Sequence, residues 1–120
     1  MNEAKPVLTP VPEKWDGTIV ANPLKESEIA RYQALVGALM HVSTHTRPDL
    51  AFAMLMLTRN MQAPTEHHWA LGKRVLRYLK GTIDSKLYYK SPLSFDLELF
   101  CDADWAGPNA NRKSISGWVL

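Results

Sequence analysis

Eight consecutive residues, Leu50 to Leu57 (LAFAMLML), carry neither a charge nor a polar side chain. The run is far short of the roughly 20 residues that a membrane-spanning helix requires. A helix built from it is apolar on every side, and such a helix is stable in water only when sandwiched between partners. The residues before it, Thr46, Arg47, Pro48 and Asp49, form a helix start signal, because proline is tolerated in a first turn and an acid is favourable there. The constraint on the fold is therefore a short central helix that needs cover.

The sequence on either side supplies that cover. Ser27 with Glu28 reads as a helix start, and Ile29, Tyr32, Leu35, Val36, Leu39 and Met40 follow at helical spacing, giving one apolar face up to about Ser43. Pro64 ends the central stretch, Thr65 and Glu66 open a third helix, and Gly81 terminates it. Three helices with short connections make a compact bundle. Beyond Gly81 the period changes: 86–90, 97–102 and 114–120 are short, rich in aromatic and branched residues and bounded by turn formers, which predicts three antiparallel strands. The fold class is α+β, a three-helix bundle followed by a small antiparallel β-sheet. Residues 1–26 hold four prolines and no helical period, and are expected to form an extended lead-in, packed on something else or disordered, with a weak strand near Thr18 to Ala21.

A chain of 120 residues that is 46% hydrophobic can bury a modest core. Its one cysteine, Cys101, excludes an internal disulfide and any cysteine-rich zinc module, and on a strand it is expected to be a small buried hydrophobe. The amino terminus lacks the basic patch and apolar stretch of a secretory signal, so the expected setting is cytoplasmic or nuclear, with no membrane partner. Net charge is only +2, but it is unevenly spread: residues 65–90 carry six basic and two acidic groups, and 91–120 carry two basic and four acidic.

The basic excess lies on the third helix. At 100° per residue Leu71, Val75, Tyr78 and Leu79 share one face, while Lys73, Arg74, Arg77 and Lys80 gather on the opposite side. Such a stripe is either a solvated face or a row of phosphate contacts giving salt-dependent, sequence-neutral binding of nucleic acid. Arg47 and Arg59 add little to it. His41 and His45 stand four apart, a spacing that two zinc-binding histidines use, but a third ligand is missing nearby. Trp69 reads as core rather than a base-stacking platform, and His67 and His68 as packing or capping groups in the first turn of the third helix.

The blocks YQALVGALMHV (32–42), TRPDLAFAM (46–54), HHWALGKRVLRYLKGT (67–82), CDADWAG (101–107) and RKSISGWV (112–119) stand in the order in which similar blocks occur in the Pol polyprotein of copia-type LTR retrotransposons. The chain closely resembles that family from about Ser27 to Leu120. The resemblance implies that 27–82 are a helical segment of the thumb and connection region downstream of the polymerase palm, and that 83–120 are the first strands of an RNase H-like fold. It also implies a parent that makes DNA on an RNA template and cleaves RNA/DNA hybrids, with both active sites incomplete in this chain and the missing palm and remainder of RNase H as natural partners. Asp102 matches the family's first-strand aspartate, which holds Mg²⁺ in the complete enzyme; Asp104 is a second candidate ligand. Without the resemblance, both acids read as a strand end and a turn. A lone carboxylate holds Mg²⁺ weakly, so tight metal binding by this chain alone is not expected. The alternative function is a non-enzymatic nucleic-acid-binding module that uses the basic face of the third helix.

Overall fold

The computed structural model describes residues 4–15, 19, 21–88, 98–104 and 115–119. They fall into two units, Met1–Leu87 and Tyr88–Leu120. The first holds α1 (Glu26–His45), a 3-10 turn over Pro48–Leu50, α2 (Ala51–Thr58) and α3 (Glu66–Gly81). The second holds β1 (Phe100–Asp104) and β2 (Ile115–Val119).

Helix α1 starts two residues earlier than the capping signal at Ser27 suggests. Lys25 is the boundary residue, and the Glu28 carboxylate accepts its backbone N–H at 3.3 Å. Glu26 and Glu28 place negative charge at the positive end of the helix dipole. Tyr32, Val36, Leu39 and Ser43 form the buried stripe. The helix closes where Thr46 and Arg47 both donate their N–H to the Val42 carbonyl at 3.0 Å, just before Pro48, which has no N–H to give.

Helix α2 corrects the expectation of a fully sandwiched element. Leu50, Ala53, Met54 and Leu57 are buried at the spacing of a single face, but Phe52 is 58% exposed. The reason is geometric: α1 and α3 cover one side of this two-turn helix, and on the other Phe52 lines only an open groove with Pro10, Val11, Pro12 and Trp15. Together with Leu24, Tyr32, Val36, Leu39, Leu71 and Val75, the buried face of α2 makes the core. Each fully buried large apolar side chain contributes roughly 1.5–3 kcal/mol. Gly72 permits the close approach of α1 to α3, since a Cβ there would stand 3.1 Å from Leu35 Cδ2.

Helix α3 begins as its sequence indicates. Thr65 precedes it in extended conformation, and His68 Nδ1 accepts the Thr65 backbone N–H at 3.1 Å and lies 2.8 Å from Thr65 Oγ1. Histidine thus takes the third helical position, in the first turn, that glutamate fills in the usual reciprocal cap. The lead-in is tied to this point: Glu66 N–H donates to the Asn22 carbonyl at 2.9 Å, Leu24 N–H donates to the Pro64 carbonyl at 3.0 Å, and Pro23 and Thr65 form an isolated antiparallel bridge. Of the weak strand expected at Thr18 to Ala21, only Ile19 and Ala21 are described, and neither is in a strand.

In the second unit, β1 and β2 pair antiparallel with Phe100 opposite Val119, Asp102 opposite Gly117 and Asp104 opposite Ile115. This is an α+β chain with two strands among the described residues rather than three. Residues 86–88 are irregular, and the rest of the expected 86–90 strand lies outside the described residues. The strand expected at 97–102 runs instead over Phe100–Asp104, placing Asp102 in its middle rather than at its end. Cys101 is exposed, not buried, because a two-stranded sheet has no second layer described against it.

Candidate functional site

The four cations of α3 do not behave as one solvated face. Arg74 donates from Nε to the Thr9 carbonyl at 3.1 Å and from Nη2 to Thr9 Oγ1 at 2.9 Å. Arg77 donates from Nε to the Lys5 carbonyl at 2.8 Å, and Lys80 Nζ donates to the Ala4 carbonyl at 3.0 Å. Lead-in residues 4–15 therefore run along α3 in the opposite direction, held by charged donors and backbone acceptors. The segment is anchored at its other end by Trp15, whose ring stacks on His67 at 4.0 Å and 13°. Lys73 stands apart: it is exposed, with Nζ 5.9 Å from the centre of the Trp69 ring. Trp69 is half-buried against the core and tilted over Tyr32, with ring centres 6.3 Å apart.

A second polar cluster joins the α1–α2 turn to the end of α3. Arg47 grips Asp49 with two bonds, Nε to Oδ1 at 3.0 Å and Nη2 to Oδ2 at 2.8 Å. It also donates to Thr82, from Nη1 to the carbonyl at 3.2 Å and from Nη2 to Oγ1 at 2.7 Å, and lies over the Tyr78 ring at 5.4 Å. Tyr78 Oη completes the set by donating to Asp49 Oδ2 at 2.8 Å. The Arg47 guanidinium holds the Asp49 carboxyl below its usual value, and the Asp49 carboxylate raises the Tyr78 phenol. In the sequence Arg47 belongs to the helix start signal Thr46 to Asp49 and adds little to the basic patch. Its signal was the Arg-Pro-Asp spacing, which puts a guanidinium and a carboxylate on one tight turn, but the Tyr78 and Thr82 partners lie more than 25 residues away and are visible only in the fold.

Asp102 is exposed in the middle of β1, opposite Gly117, which has no side chain to crowd the carboxylate. Asp104 ends the same strand, opposite Ile115. Trp105 lies outside the described residues. Mg²⁺ prefers about six oxygen ligands. Among the described residues no three His, Cys, Asp or Glu side chains come together.

His41 and His45 pack ring to ring at 4.1 Å, and His45 Nδ1 is 2.7 Å from the His41 carbonyl, which makes that nitrogen the donor. No third ligand joins them among the described residues. His68 is a buried cap; burial, then the neighbouring His67, lowers its pKa. No described helix is long and apolar enough to cross a membrane.

No protein-family model matches the chain, and no solved structure matches it. Curated proteins do. The chain is 37% identical over 118 residues to the uncharacterized mitochondrial protein AtMg00810 of Arabidopsis thaliana, which covers 98% of the chain and 48% of that protein. It is 38% identical over its full 120 residues to the retrovirus-related Pol polyprotein from transposon RE2 of the same plant, and 34% identical over 125 aligned residues to that from transposon RE1. The whole chain is covered in both cases, and it spans 8% of each polyprotein. Similarity of this extent, running from end to end through the helices and the strands, places the chain among the retrovirus-related Pol polyproteins of copia-type retrotransposons.

Proposed function

We propose that this segment of Pol carries the chain from the thumb and connection helices that follow the reverse-transcriptase palm into the first strands of RNase H, and that alone it has no nuclease activity. The observation that carries the reading is the end-to-end likeness to Pol polyproteins, together with an aspartate in the middle of the first strand of an antiparallel pair. In the whole polyprotein, Asp102, with Asp104 as a second candidate, would be one member of a carboxylate set holding Mg²⁺ beside the scissile phosphate of an RNA/DNA hybrid. The other members would come from parts of Pol that this chain does not represent. The setting of such a protein is the cytosol or the nucleus.

The purified chain, incubated with an RNA/DNA hybrid and Mg²⁺, is expected to leave the RNA strand intact. In a Mn²⁺ titration followed by NMR, the signal of Asp102 is expected to broaden only at high metal concentration. Mg²⁺-dependent cutting that disappears in Asp102→Asn would overturn the reading.

A second reading, a non-enzymatic nucleic-acid-binding module, is favoured by Arg74 and Arg77, which have no carboxylate partner among the described residues. It assigns Lys73, Arg74, Arg77 and Lys80 to the phosphates of an RNA/DNA hybrid. Changing all four to glutamine is expected to abolish hybrid binding at moderate salt; unchanged binding would remove the row from consideration.

A further inference from the structure

An arginine whose bonded partners are neutral keeps its charge uncompensated. Arg77 is bonded to the Lys5 carbonyl, and Arg74 to the Thr9 carbonyl and hydroxyl. The ion pair between Arg47 and Asp49 lies elsewhere, at the α1–α2 turn. The lead-in thus satisfies the hydrogen-bonding geometry of these arginines without supplying negative charge. A phosphodiester supplies both, since its oxygens carry negative charge and match the guanidinium fork bidentately. Arg74, Arg77 and Lys80 recur every third residue, so the lead-in and a phosphate backbone would lie along the same edge of α3.

The lead-in is also weakly invested in the core. No residue from 4 to 15 is buried, and only Val11 and Trp15 pack against the core. Leu8, the most apolar side chain of its middle, is 96% exposed. Its seat at the end of α3 depends on a glycine: a Cβ on Gly81 would stand 2.9 Å from Pro6 Cβ, part of a rigid ring that cannot swing aside.

We infer that residues 4–15 are a removable occupant of a phosphate-binding row, and that hybrid binding and seating of the lead-in on α3 exclude one another. This rests on the second reading above. Seated, the lead-in occupies Arg74 and Arg77 while Lys73 stays exposed; lifted, it opens both arginines to the sugar-phosphate backbone.

Gly81→Val combined with Trp15→Ala tests this, because the pair lifts both ends of the lead-in and leaves every cation in place. Gly81 is the last residue of α3, exposed and without a left-handed backbone angle, so valine is compatible with the helix, which circular dichroism would verify. The Nε–H groups of Arg74 and Arg77, which donate to the Thr9 and Lys5 carbonyls, are expected to lose hydrogen-exchange protection, and a fluorescently labelled RNA/DNA hybrid is expected to bind about tenfold or more tightly, the factor by which a mostly closed state reduces apparent affinity. Adding Arg74→Gln and Arg77→Gln to that variant should remove the gain. Unchanged protection of the two arginine Nε–H groups would show that the lead-in is not removable and overturn the inference. Loss of protection with no tighter binding would overturn the exclusion while leaving the row a binding surface. No binding by the lifted variant would sink the row itself, and with it both ideas.

Discussion

Tyr78, near the end of α3, donates its phenolic hydrogen to Asp49 Oδ2 at 2.8 Å, so that one carboxylate is held both by the Arg47 of its own turn and by a helix 29 residues away. The link makes the α1–α2 turn and the end of α3 one piece. Exposed ion pairs contribute about 0–1 kcal/mol. Here the Arg47 side chain is only 13% exposed and its donors also serve Thr82, so losing Asp49 would strip a half-enclosed guanidinium of its counter-charge.

Asp49→Ala is accordingly expected to destabilise the helical unit by about 1–2 kcal/mol, above the exposed-pair range and below that of a fully buried pair. Tyr78→Phe, which removes one neutral donor, should cost about 0.5–1.5 kcal/mol. Urea denaturation followed by helix signal measures both. The pH dependence has a definite sign: the folded-state pKa of Asp49 is depressed, chiefly by the hydrogen bond from Arg47. Its contribution is therefore complete above the ordinary carboxylate value and is lost as pH falls through the lowered one. In Asp49→Ala this acid-side loss should be smaller.

His68 acts in the opposite chemical sense. Burial, followed by His67, lowers its pKa, and its Nδ1 accepts the Thr65 N–H, a bond that a protonated ring cannot accept. The unfolded chain takes up the proton first, so stability is complete above the ordinary histidine value and declines as pH falls below it, through the depressed value. A pH series of denaturation midpoints should show this decline, and His68→Gln, which can still accept the N–H but does not titrate, should flatten it. A midpoint that rises on acidification would contradict the assignment.

Tyr32 is fully buried, and its hydroxyl donates to the Leu57 carbonyl at 2.8 Å. Burial pushes its phenol up to about 12. In an ultraviolet titration, the component of tyrosine ionisation near pH 12 should be missing in Tyr32→Phe. The same substitution should cost about 0.5–1.5 kcal/mol, since Leu57 O retains the Asn60 N–H as a second donor.

The two sides of α2 make a paired comparison. Leu57→Ala removes a fully buried side chain and is expected to cost about 2–5 kcal/mol. Phe52→Ser, on the open side, is expected to stay within about 0.5 kcal/mol, the range of ordinary surface changes. Equal costs would mean that α2 is covered on both faces after all.

That contrast also shows where residue pattern stops being informative. The apolar period of α1 and α3 predicted the centres of their buried faces, because an amphipathic helix has one way to hide its apolar stripe, although Met40, expected on the α1 face, is exposed. LAFAMLML carries no polar residue to mark an outer face, so nothing in it distinguishes Phe52 from Leu57. The caps were legible at Thr65, where an oxygen side chain precedes an apolar run, and misplaced at Ser27, because Glu28 reaches back to Lys25 instead. The basic row on α3 was legible as four residues on one face, but not its occupant: the lead-in is bound through backbone carbonyls at Ala4, Lys5 and Thr9, and a carbonyl looks the same in every residue. The family likeness was carried by ordered blocks, and the curated Pol polyproteins bear it out.

The most direct test of the nucleic-acid reading is the salt dependence of RNA/DNA hybrid binding. Each phosphate contact neutralised by a cation adds about one unit to the slope of log affinity against log salt concentration, so Arg74→Gln and Arg77→Gln should each lower that slope by about one and leave its independence of base sequence unchanged. A slope that stays the same in both variants would show that α3 contacts no phosphate and would contradict the account.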